Sequence, residues 1–226
     1  MKFGAVSASR VPRSFFARAA PLVARDMLGL ILAHRTVEGL IAGRIVEVEA
    51  YLSSGDEASH SFIGRTQRNA AMFGPPGHAY VYCIYGVHHC FNVVTGPEGS
   101  GEAVLVRALE PLVGEALMSA RRGRERDLCD GPGKLTVAFA IGRECDGCDL
   151  SRGPLGLWKP SGAVSPLQVR VGPRIGITKS AELPLRFRAE FAAPISAVGG
   201  RARSDRDPEW SRRPAASRRP RASDRG

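Results

Sequence analysis

The stretch LIAGRIVEVEAYL at residues 40–52 constrains the fold more than any other part of the chain. Apolar and polar residues alternate in it and Val and Ile are frequent, which is the pattern of a half-buried strand. Alternate residues of a strand share a face, so Glu47, Glu49 and Tyr51 project together, with neighbours roughly 6.5–7 Å apart. Strand-like sequence returns in AYVYCIYGVHHCFNVVT at 79–95, where two strands turn near Gly86, and in EAVLVRAL at 102–109. Shorter strand-like pieces follow over 164–187. Helical sequence is expected over 15–35, 111–122 and 134–141, with Pro21, Pro111 and the run DGPG at 130–133 marking the starts. The expected fold class is α+β: a single mixed domain around an antiparallel, barrel-like sheet.

With 226 residues and 43% apolar content, one domain with a sizeable core is the natural organisation. Residues 1–198 read as that domain. Residues 199–226, Arg/Ser/Pro/Ala-rich with nine Arg against four acids, read as a disordered basic tail. No internal repeat is present. No apolar run approaches the ~18 residues of a membrane helix, and the N-terminus lacks the apolar segment of a secretory signal. An organelle presequence is mimicked by the early Arg and Ser residues, but patterned sequence already begins near Phe15. The expected location is cytoplasmic, nucleoid-associated in a bacterium, and no membrane partner is expected.

The net charge of +10 suits a polyanion. The tail supplies half of it, and an Arg-rich genome would account for much of the rest. The five cysteines, without a secretory signal, read as reduced thiols. Cys145-Asp-Gly-Cys148 has no partner motif to complete a metal site, so no metal is expected.

Several groups could do chemistry. Glu47 and Glu49 beside Tyr51 suit glycosidic-bond hydrolysis, in which one carboxylate takes a proton from an attacking water. Strand parity does not choose between them. All four tyrosines, Tyr51, Tyr80, Tyr82 and Tyr85, fall within 35 residues. Rings facing a pocket can stack a base, and a cationic base gains cation–π attraction. Tyr85, at the hairpin tip, could wedge between stacked bases. His60 lies in the long polar, Gly-rich loop 53–78, a length that is usually functional or disordered. Arg107, among apolar neighbours, needs a partner if buried, and Glu49 is a candidate. Gly131-Pro-Gly-Lys134 is not a P-loop, yet it could set Lys134 against a phosphate at a helix start.

Together these segments resemble one family, the 3-methyladenine (alkyladenine) DNA glycosylases of the mammalian type. The similar stretches are RIVEVEAY at 44–51, DEASHS at 56–61, RN at 68–69, MFGPPGHAYVYCIYGVHHCFNVV at 72–94, VLVRALEP at 104–111, GPGKL at 131–135 and RIGI at 174–177. They cover roughly residues 15–190, in the family's order. The resemblance implies excision of alkylated purines, and often hypoxanthine, from double-stranded DNA by a monomer without a cofactor. By position, it makes Glu49 the base that activates water. It assigns Arg107 and the main-chain carbonyl of Ile175 to holding that water. It places Tyr51, His60 and Tyr82 around the flipped base, Asn92 in the same pocket and Tyr85 in the gap left in the duplex; Lys134, from the reading of its helix start, is expected on DNA. It also implies a curved antiparallel sheet from which the hairpin protrudes. No lysine lies near the constellation, so a monofunctional enzyme leaving an abasic site is expected. The family's closing segment is hard to recognise after PLRF at 184–187. Two other readings remain at this level: a carbohydrate glycosidase using Glu47 and Glu49, and a noncatalytic nucleic-acid-binding module with the tyrosines as a stacking platform.

Overall fold

The computed structural model describes residues 1–161 and 167–191. The chain opens with strands β1 (Lys2–Phe3) and β2 (Val6–Arg10), a helical turn α1 (Arg13–Phe16) and helix α2 (Ala20–Met27). Then come β3 (Ile31–Thr36), β4 (Gly39–Tyr51), β5 (Ala79–Ile84), β6 (His88–Thr95) and β7 (Glu102–Val113). Helices α3 (Glu115–Arg122) and α4 (Pro132–Ala138) precede β8 (Leu155–Pro160), β9 (Leu167–Gly172) and β10 (Arg186–Phe191). The ten strands make one antiparallel sheet in the order β1-β2-β8-β3-β4-β7-β6-β5, with β10 added to β4 and β9 to β10. The α+β expectation holds, but the sheet does not close into a barrel: β1 and β5, at opposite ends of the order, do not pair.

Strand β4 is the hub. β7 runs along one edge of it, while β3 pairs with its first half and β10 with Glu47–Glu49 on the other. Its two sides pack differently. Ile41 and Ile45 face the main core, with α2 and α4. The β4–β7 register then shifts between Ile45 and Glu47, and again between Glu47 and Val48. Such irregularities break strict alternation. Beyond them Val48 and Ala50 face the core, and Glu47, Glu49 and Tyr51 take the opposite side. Alternation continued from Ile45 would have turned both carboxylates into the core.

Helix α2 forms where expected at its start, with Pro21 in the first turn. Ala20, Val23, Ala24 and Met27 make its buried stripe, at the spacing of one helical face. The expected helix over 15–35 nevertheless ends at Met27. Leu28 is extended, Gly29 adopts φ +86° and Ile31 begins β3. Because β3 lies between β4 and β8, its first four residues are buried on both faces. A short, doubly buried apolar run has no periodicity by which to tell strand from helix. The helix expected from Pro111 also starts later. Pro111 belongs to β7, opposite Gly43 beside another register shift, and α3 begins only after Gly114 at φ +80°. Strands β1, β2 and β8 carried no sequence signal. They form by pairing, with Arg10 and Ile31 both opposite Trp158, and enclose a small second core of Phe3, Ala8, Ile31, Ala33, Ala42 and Trp158.

The β5–β6 hairpin forms as expected and carries Tyr85 and Val87 exposed at its tip, with Tyr85 in the left-handed region at φ 54°. Strand β10 extends through the segment whose placement the sequence left open, and ends at Phe191. The expected basic tail, 199–226, lies outside the described residues. Among the described residues, no helix is long and apolar enough to cross a membrane.

Candidate active site

The face of β4 opposite the main core continues across three more strands. Glu49 pairs with Leu105, Leu105 with Asn92 and Asn92 with Tyr80, forming one row across β4, β7, β6 and β5. Tyr51 and Ala103 begin the next row, and Tyr82 and Cys90 face each other across the hairpin. Directly opposed residues share a face. Residues up to 58 apart in sequence, Glu49 and Arg107, are thereby brought into contact.

Glu49 is fully buried, and all three of its partners are donors. The Ile175 backbone N–H gives its hydrogen to Oε1 at 2.8 Å. The Tyr51 hydroxyl and Arg107 Nη1 both donate to Oε2 at 3.1 Å. The three donors fix the orientation of the carboxylate through both of its oxygens. Ile175 therefore reaches Glu49 through its amide N–H, not through the carbonyl to which the resemblance points. Tyr51 is held protonated: burial raises its pKa far above the usual value, and the negative charge of Glu49 adds to this. The neighbouring Glu47 is also buried, and burial pushes its carboxyl above the usual range against the pull of Arg107 and Arg186.

Aromatic groups cluster beside this carboxylate. The His60 ring meets Tyr82 edge-on at 4.6 Å and Tyr80 at 6.0 Å, and Tyr80 and Tyr82 lie 5.4 Å apart. The Tyr80 hydroxyl and His60 Nδ1 are hydrogen-bonded at 2.7 Å. Tyr51, Tyr80 and Tyr82 pack with Met72 and Phe73 in one apolar cluster. Burial and the nearby Arg68 lower the His60 pKa, so the imidazole is neutral at physiological pH and adds no positive charge. Burial likewise raises Tyr80 and Tyr82 well above the ordinary range for phenols.

The long polar loop folds over this face and is itself ordered. His60–Ile63 and Ala70–Phe73 form two short 3₁₀ turns. Buried Asn69 ties them together, donating to the carbonyls of His60 and Gly64, each at 2.9 Å. Gly101 makes room behind them. A Cβ there would lie 2.7 Å from both the Phe73 ring and the Ser61 Cβ, at a φ of +76° that disfavours other residues.

The remaining expected residues are spread around this centre. Asn92 lies in the Glu49 row, but its Nδ2 donates to the backbone carbonyls of Tyr80 at 3.0 Å and Cys90 at 3.4 Å. Tyr85 stands apart at the hairpin tip. Lys134 belongs to the first turn of α4 and is paired with Asp130 at 2.9 Å. It lines an adjoining cleft of ≈ 330 Å³, which it shares with His88, Arg122, Glu47, Arg107 and Ile175. Among the described residues no group of three or more His, Cys, Asp or Glu is placed to hold a metal.

The family model for methylpurine-DNA glycosylase matches residues 14–192. The chain belongs to the methylpurine-DNA glycosylase family. Relatives named for 3-methyladenine DNA glycosylase activity are similar over most of their length. One from Methanoculleus marisnigri is 55% identical over 190 residues, covering 82% of this chain and 98% of the relative. One from Burkholderia cenocepacia is 51% identical over 181 residues, 78% of this chain and 86% of the relative. A third, from Carboxydothermus hydrogenoformans, is 46% identical over 179 residues, 78% and 93%. Membership makes the chain a DNA glycosylase, an enzyme acting on DNA. It sets aside the carbohydrate glycosidase and the noncatalytic module.

In this glycosylase two residues of the centre went unsingled in the sequence. Asp56 and Arg174 form a buried fork of two 2.6 Å bonds. Arg174 also donates to the Ala50 carbonyl at 3.1 Å and lies 4.6 Å from the Tyr51 ring centroid. Asp56 accepts from the backbone N–H groups of Leu52 and Ala58. The fork thus joins the start of the long loop to the segment carrying Ile175. A signal was available: DEASHS and RIGI each open on one of these charged residues, 118 positions apart.

Proposed function

We propose that this glycosylase removes alkylated purines, 3-methyladenine and 7-methylguanine among them, from duplex DNA, and hypoxanthine as a neutral substrate. It flips the damaged nucleotide into the space bordered by Tyr51, His60, Tyr80 and Tyr82. Glu49 then accepts a proton from a water that attacks the anomeric carbon, and the base departs to leave an abasic site. The observation that carries this reading is a fully buried carboxylate, oriented through both oxygens, at the edge of an aromatic cluster.

The chemistry matches the surroundings. Alkylation of a purine ring nitrogen makes the base cationic and a better leaving group, so water and a base suffice. Electron-rich rings attract the cation, and a neutral His60 does not repel it. Arg107 beside Glu49 is placed to orient the water. Lys134 is held by Asp130, in a cleft suited to the DNA backbone. A Schiff-base route would need a free lysine at the anomeric carbon; Lys134 is instead paired with Asp130, which supports a monofunctional enzyme.

Incubated with duplexes carrying 3-methyladenine, 7-methylguanine or hypoxanthine, the protein is expected to release free base and leave alkali-labile sites. Release of an intact nucleotide, or strand cleavage without alkali, would refute the scheme. Tyr85, 86% exposed at the tip of a hairpin, is the proposed wedge that fills the gap left by the flipped base. Tyr85→Ser is expected to weaken binding to a lesion duplex about tenfold, the loss of one base-stacking contact. Binding to the same lesion in a single strand should be unchanged, because no duplex has to be opened. Equal losses on both substrates would argue against a wedge.

A further inference from the structure

Two buried carboxylates in this centre meet a guanidinium, and they meet it differently. Asp56 and Arg174 make the closed fork, with both oxygens and both terminal nitrogens engaged at 2.6 Å. Glu49 receives only one nitrogen of Arg107, at 3.1 Å. The other side of Arg107 faces Glu47, whose Oε1 stands 3.3 Å from Nε. Glu47 also lies 3.6 Å from Arg186. Its Oε1 is shielded from solvent and has hydrogen-bond geometry to neither guanidinium. A carboxylate held in this way acts through charge more than through bonding.

We propose that Glu47 is a positioning residue: by holding the Nε side of Arg107 it limits the guanidinium to a single contact with Glu49, and so keeps Glu49 able to accept a proton. This rests on Glu49 being the general base. A closed fork on Glu49 would neutralise it more fully, as Arg174 does Asp56, whose carboxyl is held low despite burial by the bonds from Arg174. A base so stabilised takes a proton poorly. Glu47 lines the cleft with Arg107 and is not part of the aromatic cluster, so it has no share in holding the base.

The groups facing the pair come from four segments. Strand β4 supplies Glu47, Glu49 and Tyr51, and β7 supplies Arg107. From β10 come Arg186 and the field of Arg188, and from the 174–175 segment come Arg174 and the Ile175 N–H. Beyond Glu47, the cleft adds His88, Arg122, Asp130 and Lys134. Removing the charge of Glu47 gives Arg107 to Glu49, and both changes favour ionised Glu49.

The test is the pH dependence of single-turnover excision for wild type, Glu47→Gln and Arg186→Gln, with Glu49→Gln as control. Glu47→Gln should lower the plateau rate about tenfold, move the acid limb to lower pH and leave KM unchanged. Glu47→Asp should restore part of the rate. Arg186→Gln, which leaves Glu47 to pull harder on Arg107, should move the limb the opposite way. If Glu47→Gln misfolds, the sign of the Arg186→Gln shift decides. An acid limb that stays in place in both variants, while Glu49→Gln is inactive, would overturn the proposal. Full activity of Glu49→Gln would instead overturn the assignment of the base.

Discussion

Glu49→Gln is expected to abolish excision, with single-turnover rates falling by about 10²–10⁴-fold, the usual worth of a positioned general base. The variant isolates chemistry from architecture. Glutamine has nearly the same shape, and its carbonyl oxygen can still accept from the Ile175 N–H or from Tyr51. Arg107 is not orphaned, because Glu47 remains 3.3 Å from its Nε. The aromatic cluster of Tyr51, Tyr80 and Tyr82 is untouched. Binding to a lesion duplex should therefore survive while release of the base stops, which gel-shift and base-release assays on one preparation would separate. Excision at the wild-type rate would remove Glu49 from the role.

The second large effect is on stability. Arg174→Met is expected to cost about 3–5 kcal/mol, because breaking a buried pair leaves an uncompensated charge. Both side chains of the fork are fully shielded from solvent. For a domain of this size, that lowers the melting temperature by roughly 6–20 °C. Activity should fall too, since the fork ties the loop bearing His60 to the segment bearing Ile175. The loss has a definite pH dependence. Burial alone would raise the Asp56 carboxyl, but bonds from Arg174 and the Leu52 amide hold it below the usual value. A group whose folded-state pKa is depressed contributes stability above its unfolded value, about 3.9, and loses it as pH falls through the folded one. The gap between wild type and variant should be full at neutral pH and close below about pH 4. Calorimetry of both proteins from pH 7 to 3 would measure it. A gap that does not change with pH would show that the fork stabilises by packing alone.

The sequence determined more of the centre than of the frame around it. The Glu47-Glu49-Tyr51 face, the β5–β6 hairpin and its exposed tyrosine followed from alternation and from a turn at Gly86, both of which are local. The resemblance of short motifs singles out Glu49 and the family from sequence alone. Other features were beyond local reading. Ile31–His34 forms a strand because β4 and β8 flank it and bury both its faces, and an apolar run carries no mark of that. Strands β1, β2 and β8 exist only as partners in a sheet. The paired irregularities at Ile45–Val48 decide which way both carboxylates point, and they arise from how β4 matches β7. Tertiary structure alone set Arg107 between Glu47 and Glu49, brought the Ile175 N–H to Glu49, and joined Asp56 to Arg174. These contacts span 58 to 126 residues, and no spacing within one strand or loop encodes them. They form because the sheet brings distant segments against one face, where buried charges are stable only with partners.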